Sequence, residues 1–89
     1  MKAIVTVVGK DRVGIIAAVC TKLAEYNINV LDISQTVLQG YFTMSMVTDV
    51  TEAKLPLADL ASQMDKAGND MGMSIRIHRA DIFDAMHRI

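Results

Sequence analysis

The loop around Asp11 carries residues that could bind a small anion. Asp11 is predicted to cap a helix that begins near Arg12, because a short carboxylate accepts hydrogen bonds from first-turn amides and suits the positive end of the helix dipole. The amides near Arg12, Val13 and Gly14 would then lack partners within the helix. Such a helix start favours a carboxylate or a phosphate. The loop could therefore hold a small anion.

Gly14 falls inside the first turn of this predicted helix, where glycine costs roughly 1 kcal/mol relative to alanine. Two interpretations account for it. A bare backbone lets a ligand approach the amides closely, and it equally lets the helix pack closely against a sheet. The loop chemistry by itself favours close packing, so ligand approach is a hypothesis that needs further support.

Catalytic and metal-binding chemistry finds little support in the sequence. No nucleophile is paired with a base at a recognisable spacing, and there is no glycine-rich phosphate cradle. Cys20 lies on the apolar stripe of the predicted first helix, so we expect a buried structural thiol. A C-terminal group could bind zinc or nickel, but its spacing matches no strong ligand signature, and solvated polar side chains are the preferred interpretation. This group consists of His78, Asp81, Asp84 and His87. We expect no enzymatic activity, no cofactor and no metal.

Composition argues against nucleic acid and membrane partners. Nine basic and ten acidic residues give a formal net charge of -1, which supplies no general attraction to nucleic acid or to an anionic membrane. The first predicted strand has no aromatic residue on which an RNA base could stack. No apolar run approaches the roughly 20 residues that span a bilayer. The single cysteine and the lack of a leader before the first strand indicate a cytoplasmic protein.

Hydrophobic periodicity places the loop in a β-α-β-β unit. The run from Lys2 to Val8 is typical of a central strand that is covered on both sides. Asn27 suits the left-handed end of the first helix. The strand from Ile28 to Leu38 turns polar in its second half, which indicates a sheet edge, and it forms a hairpin with Tyr41 to Val50 through Gln39-Gly40. The apolar stripe of the helix consists of Ile16, Val19, Cys20 and Leu23.

The second half of the chain completes the pattern. A second helix is predicted to open at Leu55-Pro56 and to end between Gly68 and Gly72, and alternation from Met73 to His78 predicts a last strand. The order βαββαβ predicts the α+β class and a ferredoxin-like sandwich: an antiparallel four-stranded sheet, two helices on one face, and strands one and three central. At 89 residues the chain makes one domain with a small core, so a dimer is expected.

The C-terminal end extends beyond this fold. Residues 1–79 are predicted to form the domain, and residues 80–89 a short amphipathic helical extension. Its apolar residues are Ile82, Phe83, Met86 and Ile89. Because so short a helix would be marginal alone, we expect it to dock on the open face of the sheet, on a partner subunit or on another protein.

The sequence Asp-Arg-Val-Gly-Ile-Ile, followed by a helix and then by Asn-Ile-Asn-Val-Leu-Asp-Ile-Ser-Gln, resembles the opening half of an ACT domain. The likeness covers most of the chain. It is strongest with the small stand-alone ACT-domain proteins of an uncharacterised family, and the chain is also similar to the ACT segments of formyltetrahydrofolate deformylase and of glycine-cleavage regulators. Those segments commonly have proline where this sequence has Val13, which loosens the preset backbone of the turn.

The resemblance implies a non-catalytic regulatory module that binds a small-molecule effector, an amino acid, at the interface of a homodimer. In the family the effector lies between the first βα loop of one subunit and the second strand of the other. The loop amides could hold a carboxylate, and Asp32 or strand carbonyls could receive an ammonium group. A plain solvated edge explains the polar strand residues equally well. The residues that map to this site are Asp11, Arg12, Val13, Gly14, Asp32, Ile33, Ser34 and Gln35.

A second function class stays open on the sequence. The chain could be a ligand-independent adaptor whose sheet edge or C-terminal segment engages a separate enzyme or transcription regulator. Because no catalytic or DNA-binding domain is fused to it, any bound signal must reach a protein partner in trans.

Overall fold

The computed structural model describes residues 1–10 and 13–80, and within them four strands and two helices follow the order βαββαβ. The elements are β1 (Lys2–Lys10), α1 (Ile15–Glu25), β2 (Asn29–Leu38), β3 (Tyr41–Asp49), α2 (Leu57–Met71) and β4 (Ser74–Arg79). The sheet is antiparallel with the strand order β2-β3-β1-β4. The predicted ferredoxin-like fold, with β1 and β3 central and β2 at an edge, is confirmed. The predicted C-terminal helical extension spans residues 80–89, of which residues 81–89 lie outside the described residues.

The hydrophobic core lies between the sheet and the two helices. Alternate side chains of β1, namely Ala3, Val5 and Val7, are fully buried on this face. They form one cluster with apolar residues that recur at helical spacing on α1 and α2, and at alternate positions on β3 and β4. The main contributors from those elements are Ile15, Val19, Leu23, Met44, Met46, Leu60, Met64, Ile75 and Ile77.

Both helices lie on the same face of the sheet. The other face, called the open face below, carries neither helix. On that face of β1, Ile4 is buried, Thr6 is half-buried and Val8 is 41% exposed. The prediction that β1 is a central strand is confirmed, but its side chains are fully covered only on the face that carries the helices. The apolar run of β1 reflects its place between β3 and β4, where neighbouring strands shield its side chains.

The first helix begins later than predicted. Its N-cap is Gly14, with φ 88° and ψ 2°, so the predicted cap by Asp11 is wrong. The left-handed step at Gly14 turns the chain before the helix starts, and this changes which isoleucine faces the core. Ile15 is only 3% exposed, whereas Ile16, assigned to the buried stripe, is 37% exposed. Val19 and Leu23 are buried as predicted, whereas Cys20 is half-buried.

The second helix packs closely on β4. A Cβ atom at Gly68 would lie 2.7 Å from the carbonyl oxygen of Met73 and 3.1 Å from a side-chain carbon of Ile75. Gly68 therefore allows an approach between helix and strand that a larger residue would prevent. The helix follows Pro56 and ends at Gly72, as the sequence predicts.

One backbone hydrogen bond sets the bonding phase of the whole sheet. The amide of Val50 donates to the carbonyl oxygen of Met1 at 2.9 Å, and this pair extends the β1–β3 register by one step. Because bonded pairs alternate along antiparallel strands, every second residue of an edge strand directs its amide and carbonyl away from the sheet. These outward residues are Ile33, Gln35 and Val37 on β2, and Ile75 and Ile77 on β4.

Candidate functional site

The loop between β1 and α1 presents the start of a helix to solvent. Of the four loop residues predicted to bind a ligand, Val13 and Gly14 are described, and Asp11 and Arg12 lie outside the described residues. Val13 is fully exposed. The first bond of the helix runs from the Ala18 amide to the Gly14 carbonyl at 2.9 Å, so the amides between these residues have no partner within the helix. The loop therefore keeps the chemistry that a carboxylate requires.

Gly14 is required by backbone conformation rather than by packing. Its φ of 88° lies in the left-handed region, which favours glycine. A Cβ atom at Gly14 would meet no atom of the described residues within 4 Å, so close packing of Gly14 on the sheet is wrong. The placement of Gly14 inside the first turn is also wrong, because the helix starts at the next residue. Among the described residues, no side chain covers the space beside Gly14.

The four predicted residues of β2 divide between the two faces of the sheet. Asp32 and Ser34 lie on the open face, and Ile33 and Gln35 lie on the face that carries the helices. All four are exposed. The predicted edge is thus a two-sided surface, polar on the open face and mixed on the other.

A small depression lies beside Asp32 on the open face. Its volume is about 150 Å³. Asp32, Ser34 and Ser45 line it together with the apolar residues Ile4 and Val47. This combination of a carboxylate, two hydroxyl groups and an apolar surface suits a small polar molecule with a short apolar part.

The first half of the β2 edge has two features that hinder pairing with another strand. A carboxylate oxygen of Asp32 accepts a hydrogen bond of 2.9 Å from the amide of Ile33, which is one of the outward amides. The β2–β3 register also shifts between Val30 and Asp32, which leaves Leu31 as a bulge. A bulge and a capping side chain both hinder the pairing of an edge with another strand. The outward groups of Gln35, further along, carry no such cap among the described contacts.

Within one chain the loop and Asp32 are far apart. Lys10, the last residue of β1, pairs with Tyr41, which pairs with Leu38. Asp32 lies six residues before Leu38, and strands rise about 3.3 Å per residue, so about 20 Å separates the two along the sheet. The structure therefore does not bring the two predicted halves of the site together in a single chain.

Sequence reasoning named Ile33 as a site residue but missed that it forms an exposed apolar pair with Val37 on β2. Ile33 and Val37 are 41% and 52% exposed although they lie on the helix side of the sheet. Val37 pairs with Phe42, which pairs with Gly9, so Val37 lies at the end of the sheet where the loop begins. The signal was present as two apolar residues four positions apart in a strand interpreted as polar. An alternating apolar pair on an edge strand indicates a contact surface.

Other candidate chemistry is limited in the described part of the chain. The free thiol of Cys20 is only half-buried, so the predicted full burial of this side chain is wrong. Among residues 1–10 and 13–80 no group of three or more His, Cys, Asp or Glu side chains could hold a metal ion. His78 lies on β4, and the other three residues of the C-terminal group lie outside the described residues. Neither α1 nor α2 is long and apolar enough to cross a bilayer.

Comparison with known proteins identifies the fold family. A family model for the ACT domain matches residues 2–78. The chain belongs to the ACT domain family. ACT domains are generally regulatory modules that bind small-molecule effectors, and they often dimerise. Small stand-alone members of the family are typically regulatory rather than catalytic.

Full-length relatives share the same single-domain design. A UPF0237 protein of Bifidobacterium longum is 51% identical over 88 residues, which cover 99% of this chain and 98% of the relative. An ACT domain protein from Streptococcus pneumoniae superposes with a TM-score of 0.84 at 46% identity, covering 98% of both chains. These matches confirm the resemblance to the small stand-alone ACT proteins.

Two larger proteins contain the same fold. A formyltetrahydrofolate deformylase from Pseudomonas syringae matches 88% of this chain and 27% of its own chain, with a TM-score of 0.78 at 23% identity. A putative glycine cleavage system transcriptional repressor matches 86% of this chain and 44% of its own, with a TM-score of 0.72 at 18% identity. At these identities the likeness concerns the fold alone.

Proposed function

We propose that this ACT domain is a non-catalytic regulatory module that binds an amino acid between two copies of the chain. The observation that carries the proposal is the separation of about 20 Å between the loop and Asp32 in one chain, together with a free edge on β2 that can bridge it. Two half-sites on one chain become one whole site when a second copy supplies the missing half.

The free edge of β2 favours one register for this pairing. In antiparallel pairing, residues of β2 whose amides and carbonyls point away from the sheet must lie opposite residues of the same kind in the second copy. A two-fold axis at Gln35 meets this condition and places Ile33 of one copy opposite Val37 of the other. These two residues lie on the same face of the sheet, and both are exposed in the single chain. Pairing in this register therefore buries the apolar pair of both copies, which supplies the driving force.

The same register aligns the two half-sites. It places Asp32 of one copy opposite Leu38 of the other, and Leu38 is level with Lys10, where the loop begins. The loop of one copy and β2 of the other then lie at the same height along the strands of a continuous eight-stranded sheet. We infer that the amides that follow Gly14 hold the carboxylate of an amino acid, and that Asp32 or a carbonyl of β2 in the other copy receives its ammonium group.

The remaining polar residues complete the proposed site. Ser34 lies beside Asp32 on the open face, and Gln35 lies at the two-fold axis.

The free thiol of Cys20 is compatible with a reducing compartment, and we place the protein in the cytoplasm.

Thermal-shift measurements with each of the common amino acids test the proposal. A ligand that binds the native dimer raises the unfolding temperature in proportion to the logarithm of its concentration. The matched control is Gln35→Pro, because proline removes an outward amide that β3 does not use and is tolerated on an edge strand. We expect the wild type to be a dimer of the 9.7 kDa chain by light scattering and to be stabilised by an amino acid. Gln35→Pro should be monomeric and unresponsive. A monomeric wild type, or equal stabilisation of Gln35→Pro, would contradict the proposal.

A further inference from the structure

The second edge of the sheet, β4, differs from the β2 edge in that, within residues 1–10 and 13–80, it has neither a bulge nor a side-chain cap. Its register with β1 has no bulge, and no described side chain caps the outward amides of Ile75 and Ile77. β4 contains no proline, which would remove an edge amide. Unpaired backbone groups of this kind are a template for another strand.

A groove of about 450 Å³ follows this edge. One wall is formed by the α2 residues Ala61, Ser62 and Asp65, and the other by β4 from Ile75 to His78. The small side chains of Ala61 and Ser62 leave room above the edge for the side chains of an added strand. The groove therefore has the form that β-augmentation requires, with main-chain bonding along the strand and space for alternate side chains.

The open-face side of the edge carries the cation Arg76. Arg76 and His78 occupy alternate positions of β4, and their neighbours on β1 are the uncharged Thr6 and Ile4. Within residues 1–10 and 13–80 the salt bridges do not include Arg76. Cross-strand pairs of opposite charge stabilise a sheet, so a strand added beside Arg76 and His78 is favoured when it carries acidic residues at alternate positions. Asp65 lies on the α2 side of the groove and disfavours acidic residues there, so the acidic positions must face the open side.

A second copy of this chain is disfavoured in the groove when the two-fold axis lies at Arg76. Pairing in that register places the two guanidinium groups opposite each other. Like charges directly opposite are destabilising. We propose that the β4 edge binds an extended acidic segment of a separate protein, which adds to the sheet as a fifth strand beside Arg76 and His78. The proposal does not depend on the ligand site at β2.

Hydrogen exchange on the full chain tests this surface with two synthetic peptides. One alternates glutamate and valine over seven residues, the other alternates lysine and valine, and both have blocked ends. We expect the acidic peptide to slow exchange of the Ile75 and Ile77 amides by about tenfold or more at saturation, because these amides gain a partner. The amides of Ser74, Arg76 and His78 already bond to β1 and serve as internal controls.

The variant Arg76→Glu reverses the charge on the edge and tests whether the peptide preference reverses with it. It should lower the affinity for the acidic peptide by roughly fivefold and raise that for the basic peptide by a similar factor, since one cross-strand charge pair is exchanged. The same result in Gln35→Pro would separate this surface from the β2 edge. The proposal is overturned if both peptides protect Ile75 and Ile77 equally, if these amides are already protected in the free chain, or if protection appears at β2 instead.

Discussion

The carboxylate of Asp32 accepts a hydrogen bond of 2.9 Å from the amide of Ile33, the next residue on the free edge of β2. That amide is also a group that an antiparallel partner strand would use in the register centred on Gln35. Asp32 therefore competes with edge pairing in the single chain. Pairing would in turn release its carboxylate for the ammonium group of a ligand.

Substitution of Asp32 should separate these two roles. Asp32→Ala removes the competing bond, worth about 0.5–1.5 kcal/mol, from each copy, so the dimer should tighten by roughly tenfold while amino-acid binding is lost. Asp32→Asn keeps an acceptor for the Ile33 amide and should leave the dimer unchanged, but without a charge it should bind the amino acid weakly. Sedimentation equilibrium and calorimetry measure the two constants. A dimer that weakens in Asp32→Ala would show that Asp32 does not compete with pairing.

The apolar pair on β2, Ile33 and Val37, leads to a second prediction about assembly of the dimer. Val37→Lys should weaken the dimer by at least about tenfold, because it places a charge where Ile33 of the other copy would be buried. The stability of the monomer should change by less than about 0.5 kcal/mol, since Val37 is 52% exposed in the single chain. The control is Val8→Lys, which alters an exposed valine on β1 away from the edge. Equal effects of the two variants on sedimentation would place the interface elsewhere.

Gly14→Ala should destabilise the free protein. The left-handed conformation at φ 88° costs a residue with a side chain about 1–2 kcal/mol, and among the described residues a Cβ atom there would meet no neighbour to compensate. Gly14→Asn should cost less, because asparagine tolerates this region. Urea unfolding of the three proteins measures the differences. An alanine variant as stable as the wild type would indicate that the loop adopts another conformation.

Gly68→Ala tests the close approach of α2 to β4. Its methyl group would lie 2.7 Å from the Met73 carbonyl oxygen, so helix and strand must separate, and we expect a loss of about 1–3 kcal/mol in the free energy of unfolding. The neighbouring Asn69→Ala, on the exposed side of the same helix, should change stability by less than about 0.5 kcal/mol. Denaturant unfolding of both variants makes the comparison, and similar losses would argue against a specific contact at Gly68.

The carboxyl group of Asp49 should titrate below its ordinary range. The Thr51 hydroxyl donates to it at 2.6 Å and lowers its pKa from 3.8, with a smaller contribution from the Thr51 amide. Because the folded pKa is depressed, the stabilising contribution of this group is present above the unfolded pKa and is lost as the pH falls through the folded value. Thr51→Val removes the hydroxyl and should raise the pKa of Asp49 measured by NMR titration. An unchanged titration curve would assign the shift to other groups.

The fold could be predicted because its signals are periodic and repeated. Ile75 and Ile77 alternate with polar residues and are buried, and Leu60 and Met64 lie one helical turn apart and are buried. Each element has several such positions, so one wrong assignment, such as Ile16 in the first stripe, did not change the topology.

The candidate site was less predictable because it depends on conformation and register. Asp11 has the chemistry of a helix cap, but Gly14 occupies that position through its backbone conformation, which residue type alone does not settle. On β2 the hydrogen-bond phase decides that Ile33 offers its amide to the edge and that Asp32 caps it. That phase follows from pairing with β3 and from the bulge at Leu31, neither of which a local pattern shows.

The strand order β2-β3-β1-β4 places the two edges of the sheet at opposite sides of the molecule. Two-fold pairing through β2 pairs the β2 edges of both copies with each other. This assembly therefore closes at two subunits and cannot grow into a fibre by the same contact. It also leaves two identical β4 edges at the far ends of an eight-stranded sheet. Such a dimer would be bivalent, and a target that carries two acidic segments on a linker long enough to span the sheet would bind it far more tightly than either segment alone.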